Sequence, residues 1–412
     1  MKNFESLHSP RLTSPNNLES FKIPEYDLEK GIERVLEIIQ EKLLTQEKPI
    51  IIEIAGGSAS GKTSAVSFKI KEILGDKALI LSMDDYCYER TFIDNRAKKG
   101  EIFNDDQPEA LDLELLKSHL IKLKDDKTIE KPVFDLKESK RVGFVTIQPH
   151  KVIIVEGLFA LNDLLINEGD IKIFVDTSTH GRLLRRLFRD TERTGKEPIN
   201  TLRYFLDVIV QMHEKYVQST KKNADILIRN EYNPEIEAQK TNLYEIQKKF
   251  KGELDLEYLQ NIGAKSLGSI DQEDQYYNIN ESKLNETGEI LRIRNENGHK
   301  ILTYKGPRIT SDFQVRSKFE FEIDNEIETK FLSIYGDPIK IIKKKCLLYQ
   351  LNNITFSIEN VSNIENKKET EVGKFIEIKS TNKDTDTKEI ENLISKLGSS
   401  IKDDIKKSYF EM

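Results

Sequence analysis

Residues 50–63 constrain this chain more tightly than any other stretch. Ile50 to Ala55 form a short β-branched run suited to a buried parallel strand. Gly56 to Thr63 match the spacing G-x-x-x-x-G-K-[ST], and Ser64 to Leu74 can continue as a helix. The glycines let the backbone turn and approach a ligand. The following helix aims its first N–H groups at an anion, and Lys62 adds a mobile positive charge. Thr63 brings a hydroxyl able to hold Mg²⁺ beside phosphates. The pattern predicts a nucleoside triphosphate cradle across Gly56, Gly57, Ser58, Ala59, Ser60, Gly61, Lys62, Thr63 and Ser64.

The chain has 412 residues, more than one typical domain. A net charge of −7 argues against a nucleic-acid partner held by bulk positive charge. Cys87 and Cys346 are the only cysteines, so neither a disulfide framework nor a zinc spacing is present. No apolar stretch approaches the ~20 residues that span a bilayer, and the N-terminus lacks an apolar signal core. The expectation is a cytoplasmic protein with no membrane partner.

Met1 to Asp27, rich in Ser, Pro and Asn, reads as a flexible arm (1–27). Leu28, Ile32, Val35, Leu36, Ile39 and Leu43 then recur at helical spacing. From Pro49 to about Tyr232, strands at Ala78 to Ser82, Lys151 to Val155, Ile171 to Asp176 and Ala224 to Ile228 alternate with helices. This predicts an α/β domain over 28–232, a parallel sheet covered on both faces. A connector follows at 233–242. Beyond it, short alternating strands predict a second, antiparallel β domain over 243–412. The clearest are Leu291 to Arg294, Lys300 to Tyr304, Phe319 to Ile323, Ile354 to Ile358 and Phe375 to Lys379.

Asp84, in Ser-Met-Asp-Asp-Tyr, falls at the carboxyl end of the second strand, the edge where open α/β sheets bind ligands. A carboxylate there either takes a proton from an attacking hydroxyl or caps the next helix. Asp106 and Asp135 add loop carboxylates, and Glu156 ends a strand where it either holds metal or closes the sheet. Arg182, Arg185, Arg186 and Arg189 share one helical face, with Leu184, Leu187 and Phe188 opposite and Arg193 in the loop beyond. After a complete phosphate loop, such arginines suit a lid over a phosphoryl group in transfer.

Residues 50–232 resemble the uridine–cytidine kinase family. The segments that carry the likeness are the phosphate loop, Leu-Ser-Met-Asp-Asp-Tyr, Asp-Asp-Gln-Pro-Glu-Ala-Leu-Asp, Phe-Asp-Leu-Lys-Glu-Ser-Lys-Arg, Val-Glu-Gly-Leu, Arg-Leu-Leu-Arg-Arg-Leu-Phe-Arg-Asp and Asn-Ala-Asp-Ile-Leu-Ile. The resemblance implies ATP and Mg²⁺ as cofactors, with Thr63 and Glu156 on the metal side. It makes Asp84 the base on a nucleoside 5′-hydroxyl and Asp106 the grip on the ribose. Lys62, Arg186, Arg189 and Arg193 would sit on the phosphates, with Lys62 and Arg189 joining Asp84 in catalysis. Phe134, Asp135, Ser139 and Arg141 would border the nucleoside, though Arg141 equally suits pairing with an acid. The family's base-reading histidine falls at Ser139 and its tyrosine at Phe134, while Gln107 and Cys87 also depart from the pattern. Phosphate machinery is kept and base readout is not, so ATP binding is the firmer implication.

In the second half Arg292 and Arg294 face away from Leu291 and Ile293, and Lys318, Glu320 and Glu322 away from Phe319 and Phe321. Several strands with both signs at alternating positions suggest a barrel with a charged lumen. Residues 243–412 resemble the CYTH, or triphosphate tunnel metalloenzyme, family. The ordered fragments are Glu245-Ile-Gln247-Lys-Lys249, Asp274-Gln-Tyr-Tyr, Leu291-Arg-Ile-Arg, Leu302-Thr-Tyr-Lys-Gly, Phe319-Glu-Phe-Glu, Gly373-Lys-Phe-Ile-Glu-Ile and Ser408-Tyr409. The resemblance implies phosphate contacts at Lys249, Arg292, Arg294, Lys305, Arg316 and Lys345. It implies metal ligands at Glu245, Glu320, Glu322, Glu359 and Glu377. Gln247 and Lys379 replace acids common in that family, which weakens metal binding. Plant proteins join the same two parts in the same order and carry a C-terminal membrane anchor that this sequence lacks.

The leading expectation is phosphorylation of uridine or cytidine to the 5′-monophosphate. The alternatives are pyrophosphate or triphosphate hydrolysis in the tunnel with the kinase half regulatory, and a nucleotide-binding regulatory module. Partners are expected to be small nucleosides or phosphate esters, and self-association is compatible with the sequence.

Overall fold

The computed structural model describes residues 23–99, 103–194, 197–233, 244–278, 288–308, 314–380, 387–396 and 401–412. The strand before the phosphate loop, β2 (Ile50–Gly56), is buried along its whole length. It lies inside a six-stranded parallel sheet with β1 (Glu25–Asp27), β3 (Ala78–Ser82), β6 (Val152–Glu156), β7 (Ile171–Asp176) and β8 (Ile226–Arg229). The order is β1-β8-β7-β2-β6-β3, so the chain leaves β2 toward one side and returns on the other. That reversal opens a crevice at the carboxyl end of β2. A hairpin of β4 (Ile129–Asp135) and β5 (Lys140–Ile147) stands apart from the sheet.

Alternate residues of β2 feed two cores. Ile50, Ile52 and Ile54 pack with Ile32, Val35 and Ile39 of α1 (Leu28–Thr45) and with Val66 and Ile70 of the helix after the loop. Ile51 and Ala55 face the other way, toward Leu113, Leu116, Leu120 and Leu123 of α4 (Leu113–Lys124). Each fully buried isoleucine contributes about 2 kcal/mol of hydrophobic stabilisation. The expected arm is shortened by this sheet. Residues 1–22 lie outside the described residues, but Glu25–Asp27 pair in parallel with β8 at the sheet edge. The connector beyond residue 233 also lies outside them.

The second half is an antiparallel barrel. β9 (Tyr244–Gly252), β10 (Lys265–Tyr276), β11 (Ile290–Glu296), β12 (His299–Lys305), β13 (Gln314–Ile323), β14 (Lys340–Leu351), β15 (Ile354–Glu365) and β16 (Lys368–Ser380) form its wall. The ring β13-β12-β11-β10-β14-β15-β16-β9 closes where Gln314–Ser317 meet Tyr244–Gln247, and β17 (Ile401–Asp404) adds to β9. Closure removes the edges that an open sheet would expose. Among the described residues no helix is long and apolar enough to cross a membrane.

The two halves share a core. Leu183, Leu184 and Leu187 of α5 (Thr179–Thr194), Leu202 of α6 (Pro198–Tyr204) and Phe205, Leu206 and Ile209 beyond it pack on Leu291, Ile293, Leu302, Tyr304 and Phe319. Phe188 lies 4.3 Å from Phe319, ring centre to ring centre. Ion pairs flank the seam, Arg203–Asp324 at 2.8 Å and Lys330–Asp207 at 2.5 Å.

Glu53 breaks the apolar pattern of β2. It is fully buried and both carboxyl oxygens lack a hydrogen-bond partner. Burial pushes its carboxyl up to about 8, against an opposing pull from Lys172 and Lys124 and added repulsion from Glu168 and Asp170. The unfolded chain sheds this proton as pH passes the ordinary value of 4.5, while the folded chain holds it until about 8. Stability is therefore full at low pH and declines across that window. The melting temperature of the parent should fall between pH 5 and pH 8 by an amount worth a few kcal/mol, at about 1.4 kcal/mol per pKa unit. Glu53→Gln should flatten that decline in calorimetric melts. Equal slopes for both proteins would contradict this account.

Candidate functional site

The phosphate loop is held from behind by groups distant in sequence. The Ser60 carbonyl accepts from Asn230 Nδ2 at 2.7 Å, Thr177 Oγ1 at 3.2 Å and Arg185 Nη1 at 3.3 Å. Arg185 also reaches the Ala59 carbonyl at 3.4 Å. Gly61 adopts φ +88°, and a Cβ there would meet Asn230 Nδ2 at 2.2 Å. Beneath Gly57 lies Arg182, only 1% exposed, whose Nε and Nη1 lack partners and whose guanidinium burial lowers to about 10. His213 beside it is pushed down to about 3 by burial and by Arg182. The loop is thus backed by positive charge and pre-shaped before any ligand arrives.

Around its mouth the structure brings together Lys62, Thr63, Asp84, Asp106, Glu156 and Arg186. Thr63 Oγ1 donates to Glu156 Oε2 at 2.7 Å and Ser82 Oγ to Glu156 Oε1 at 2.8 Å. Asp84 lies in a 3-10 turn (Met83–Tyr86) after β3, exposed to the cleft. Desolvation by the cleft walls raises its carboxyl above the ordinary value, with Lys62 pulling back and Glu156, Asp85 and Asp106 pushing further. Asp106 is raised too, by burial, against the Tyr204 hydroxyl and Arg186. Tyr204 Oη donates to Asp106 Oδ2 at 3.0 Å, while Arg186 lies 6.0 Å over the Tyr204 ring. Arg186 Nη1 donates to Ser58 Oγ at 2.7 Å, and Asp190 pairs with Arg186 at 3.3 Å and Arg189 at 2.8 Å. The helix reaches Thr194, but the Arg193 side chain lies outside the described residues.

The hairpin places its residues differently. Asp135 accepts from the Lys137 and Glu138 N–H groups at 2.8 and 3.1 Å, closing the turn. Ser139 has φ +49° and its carbonyl accepts from Arg90 N at 3.0 Å. Arg141 does pair with an acid, Asp112 at 3.3 Å, and donates to the Tyr86 and Cys87 carbonyls at 3.3 Å. Phe134 is half-buried, and its N–H points at Asp85 Oδ1 at 3.4 Å. Asn230, Thr177 and Tyr204 were not singled out in the sequence reading. Only the position of Asn230, just past the last strand of the sheet, hinted at it.

In the barrel, Glu245, Gln247, Lys249, Arg292, Arg294, Lys305, Arg316, Lys318, Glu320, Lys344, Glu377 and Lys379 face one narrow lumen. Two sequence expectations are corrected. Lys345 is exposed on the outer wall and Lys344 lies inside, 3.0 Å from Asp274. Glu322 is exposed and bonded to His299 at 2.7 Å. Asp274, fully buried, also takes Arg292 at 2.9 Å and Arg294 at 2.6 Å. Burial lowers Lys305 to about 7 and Lys249 to about 8 despite nearby acids. Glu320 and Glu377 resist burial and are held down to about 2 by the surrounding cations.

The expected tunnel metal ligands do not converge. Glu245 carries Lys305 on one oxygen and Lys318 on the other, the latter at 2.8 Å, and Glu377 takes the Gln247 amide. Glu359 is buried in the wall against the Ser357 hydroxyl at 2.7 Å. Among the described residues no three of His, Cys, Asp or Glu form a metal-holding group. The kinase mouth is different, because magnesium needs only one or two protein oxygens beside phosphates and water, which Thr63, Glu156 and Asp84 can supply.

Comparison with known proteins follows the same division. The phosphoribulokinase/uridine kinase family profile matches residues 51–236, and the CYTH domain profile matches 243–409. A uridine kinase of Listeria welshimeri is 38% identical over 44% of this chain and 87% of its own length. One from Chlamydia pneumoniae is 32% identical over 56% of this chain and 96% of its own. Among solved structures, a possible uridine kinase from Bacillus stearothermophilus is 18% identical over 49% of this chain and 98% of that one, with a TM-score of 0.36.

Gly61→Ala should weaken binding of a fluorescent ATP analogue by at least about tenfold, since the added Cβ displaces the Asn230 amide that holds Ser60. Gly298→Ala, at the same φ of +88° in a barrel turn with nothing within 4 Å, should leave binding intact. Unchanged binding in both would overturn the role given to Asn230.

Proposed function

We propose, for a chain that belongs to the phosphoribulokinase/uridine kinase family over residues 51–236 and carries a CYTH domain over 243–409, that the first half transfers the terminal phosphoryl group of ATP to the 5′-hydroxyl of uridine or cytidine. One observation carries this reading: Glu156 accepts from Thr63 of the phosphate loop and from Ser82, two residues before Asp84, so the loop and Asp84 border one mouth. The similarity to proteins named uridine kinase supports the choice of acceptor.

In the proposed step Asp84 accepts the proton of the attacking hydroxyl. The new oxygen–phosphorus bond forms as the bond to the ADP oxygen breaks, and ADP leaves with the electron pair. Lys62 and the loop N–H groups hold the phosphates in place, and Arg186 with Arg189 counter the charge that spreads over the moving group. Magnesium, held by Thr63 and Glu156, would supply further neutralisation of phosphate charge. Asp106, fixed by the Tyr204 hydroxyl, orients the ribose. With the Asp135 carboxylate engaged in the hairpin turn, base readout rests on few polar partners, so discrimination between pyrimidines should be modest.

Asp84→Asn should lower kcat by about 10²-fold or more with ATP affinity retained, while Lys62→Ala should abolish ATP binding. The base must be ionised to act, so kcat/KM should rise with pH through a value above the ordinary aspartate range, the direction in which burial moves Asp84. A panel of nucleosides with ATP and Mg²⁺ decides the matter. No monophosphate from any nucleoside, or full activity in Asp84→Asn, would refute the reading.

A further inference from the structure

Arg185 and Arg186 of α5 reach the phosphate loop with hydrogen bonds, to the Ala59 and Ser60 carbonyls and to the Ser58 hydroxyl. Arg182, one turn earlier on the same stripe, has no such task. It is 1% exposed, and its Nε and Nη1 find no acceptor. Among the described residues its hydrogen bonding amounts to Nη2 against Thr179 Oγ1 at 3.5 Å, with the Phe205 ring 5.9 Å away. The acids whose fields reach it are engaged or exposed. Asp176 pairs with Lys221 at 2.6 Å, Glu231 accepts from the Ser178 N–H at 3.1 Å, and Glu214 faces solvent. Burial outweighs their combined pull on the guanidinium. His213 beside it is held far below its ordinary range, so it is neutral and adds no compensating charge.

A guanidinium so placed is destabilising, because burial strips its water and nothing returns the lost interaction. A long cationic side chain ordinarily turns its head to solvent. Here the way out is closed. Leu183 and Leu184, next along α5, are packed on the barrel, and Phe205 is fully buried. What the guanidinium does face is the phosphate loop. A Cβ added to Gly57 would meet Arg182 Cδ at 2.7 Å and Nη1 at 3.0 Å. Shielded from water, its field acts on a nearby anion with far less screening than that of a surface cation.

We propose that Arg182 is an electrostatic determinant of triphosphate binding that acts through Gly57. Its charge finds no protein partner and is compensated by the phosphates, so ATP relieves a strain built into the fold. The inference rests on the first half binding ATP but not on its acceptor, so a failure of nucleoside phosphorylation leaves the test intact.

The test uses the full chain, with calorimetric melts and titrations in Mg²⁺. Arg182→Met keeps the length of the side chain and removes its charge. Without nucleotide its melting temperature should rise above that of the parent, since an apolar side chain replaces an uncompensated ion. Its ATP affinity should nevertheless fall at least about tenfold. The loss should shrink from ATP to ADP and be smallest for AMP, because it follows phosphate charge. Arg182→Lys keeps the charge and should recover most of the affinity for ATP. A purely structural arginine would act otherwise: its removal would lower the melting temperature or prevent folding, and either result overturns the proposal. Equal losses for ATP and AMP, or unchanged ATP affinity in Arg182→Met, would overturn it as well. A parent chain that binds no ATP would sink the nucleotide reading itself, and this inference with it.

Discussion

Helix α5 has to satisfy two partners that want opposite chemistry. One side delivers Arg185 and Arg186 to the phosphate loop, and the other buries Leu183, Leu184 and Leu187 on the barrel. A helix can meet both demands because its side chains divide into stripes. The lid arginines are mounted on the same rigid element that seals the second domain, with Phe188 against Phe319 and His180 bonded to Tyr335 at 3.0 Å.

The phosphate loop shows the same dependence on remote support. Its glycines allow the turn, but the turn is fixed by Asn230 after β8, by Thr177 after β7 and by Arg185 from the lid helix. These groups meet because the parallel strands place their carboxyl ends side by side. The chemistry of the mouth then follows from enclosure. Asp84 and Asp106 are both pushed toward the protonated form by burial and both pulled back by cations, so their charge is set by the surrounding walls.

The barrel lumen illustrates what an alternating pattern can and cannot reveal. Arg292 and Arg294 were readable as one face, because hydrophobic neighbours fix the phase of a strand. Lys343, Lys344 and Lys345 were not, since three identical residues carry no phase of their own. Pairing of β14 with β10 decided that Lys344 would turn inward toward Asp274. Glu245, Glu320 and Glu377 were legible as lumen residues and Glu322 was misplaced there, but none of their ion-pair partners was legible, and those partners bear on whether a metal fits. In the kinase half, Asp135 and Ser139 lay in a recognisable segment, yet the local turn claimed the Asp135 carboxylate and the Ser139 carbonyl went to the Arg90 N–H.

Sequence alone determined the elements whose cause is local: the strand–loop–helix of residues 50–74, the amphipathic helix α1, the two faces of α5 and the phase of barrel strands such as β11, where apolar and charged residues alternate. Periodicity and turn chemistry act over a few residues, so they are written in the chain itself. Only the tertiary structure decided which distant groups meet. It supplied Asn230 behind Gly61, Tyr204 on Asp106, two lysines on Glu245 and the barrel wall beneath the lid helix. Contacts between charges depend on a few ångströms of through-space distance, and that distance is fixed by packing rather than by separation along the chain.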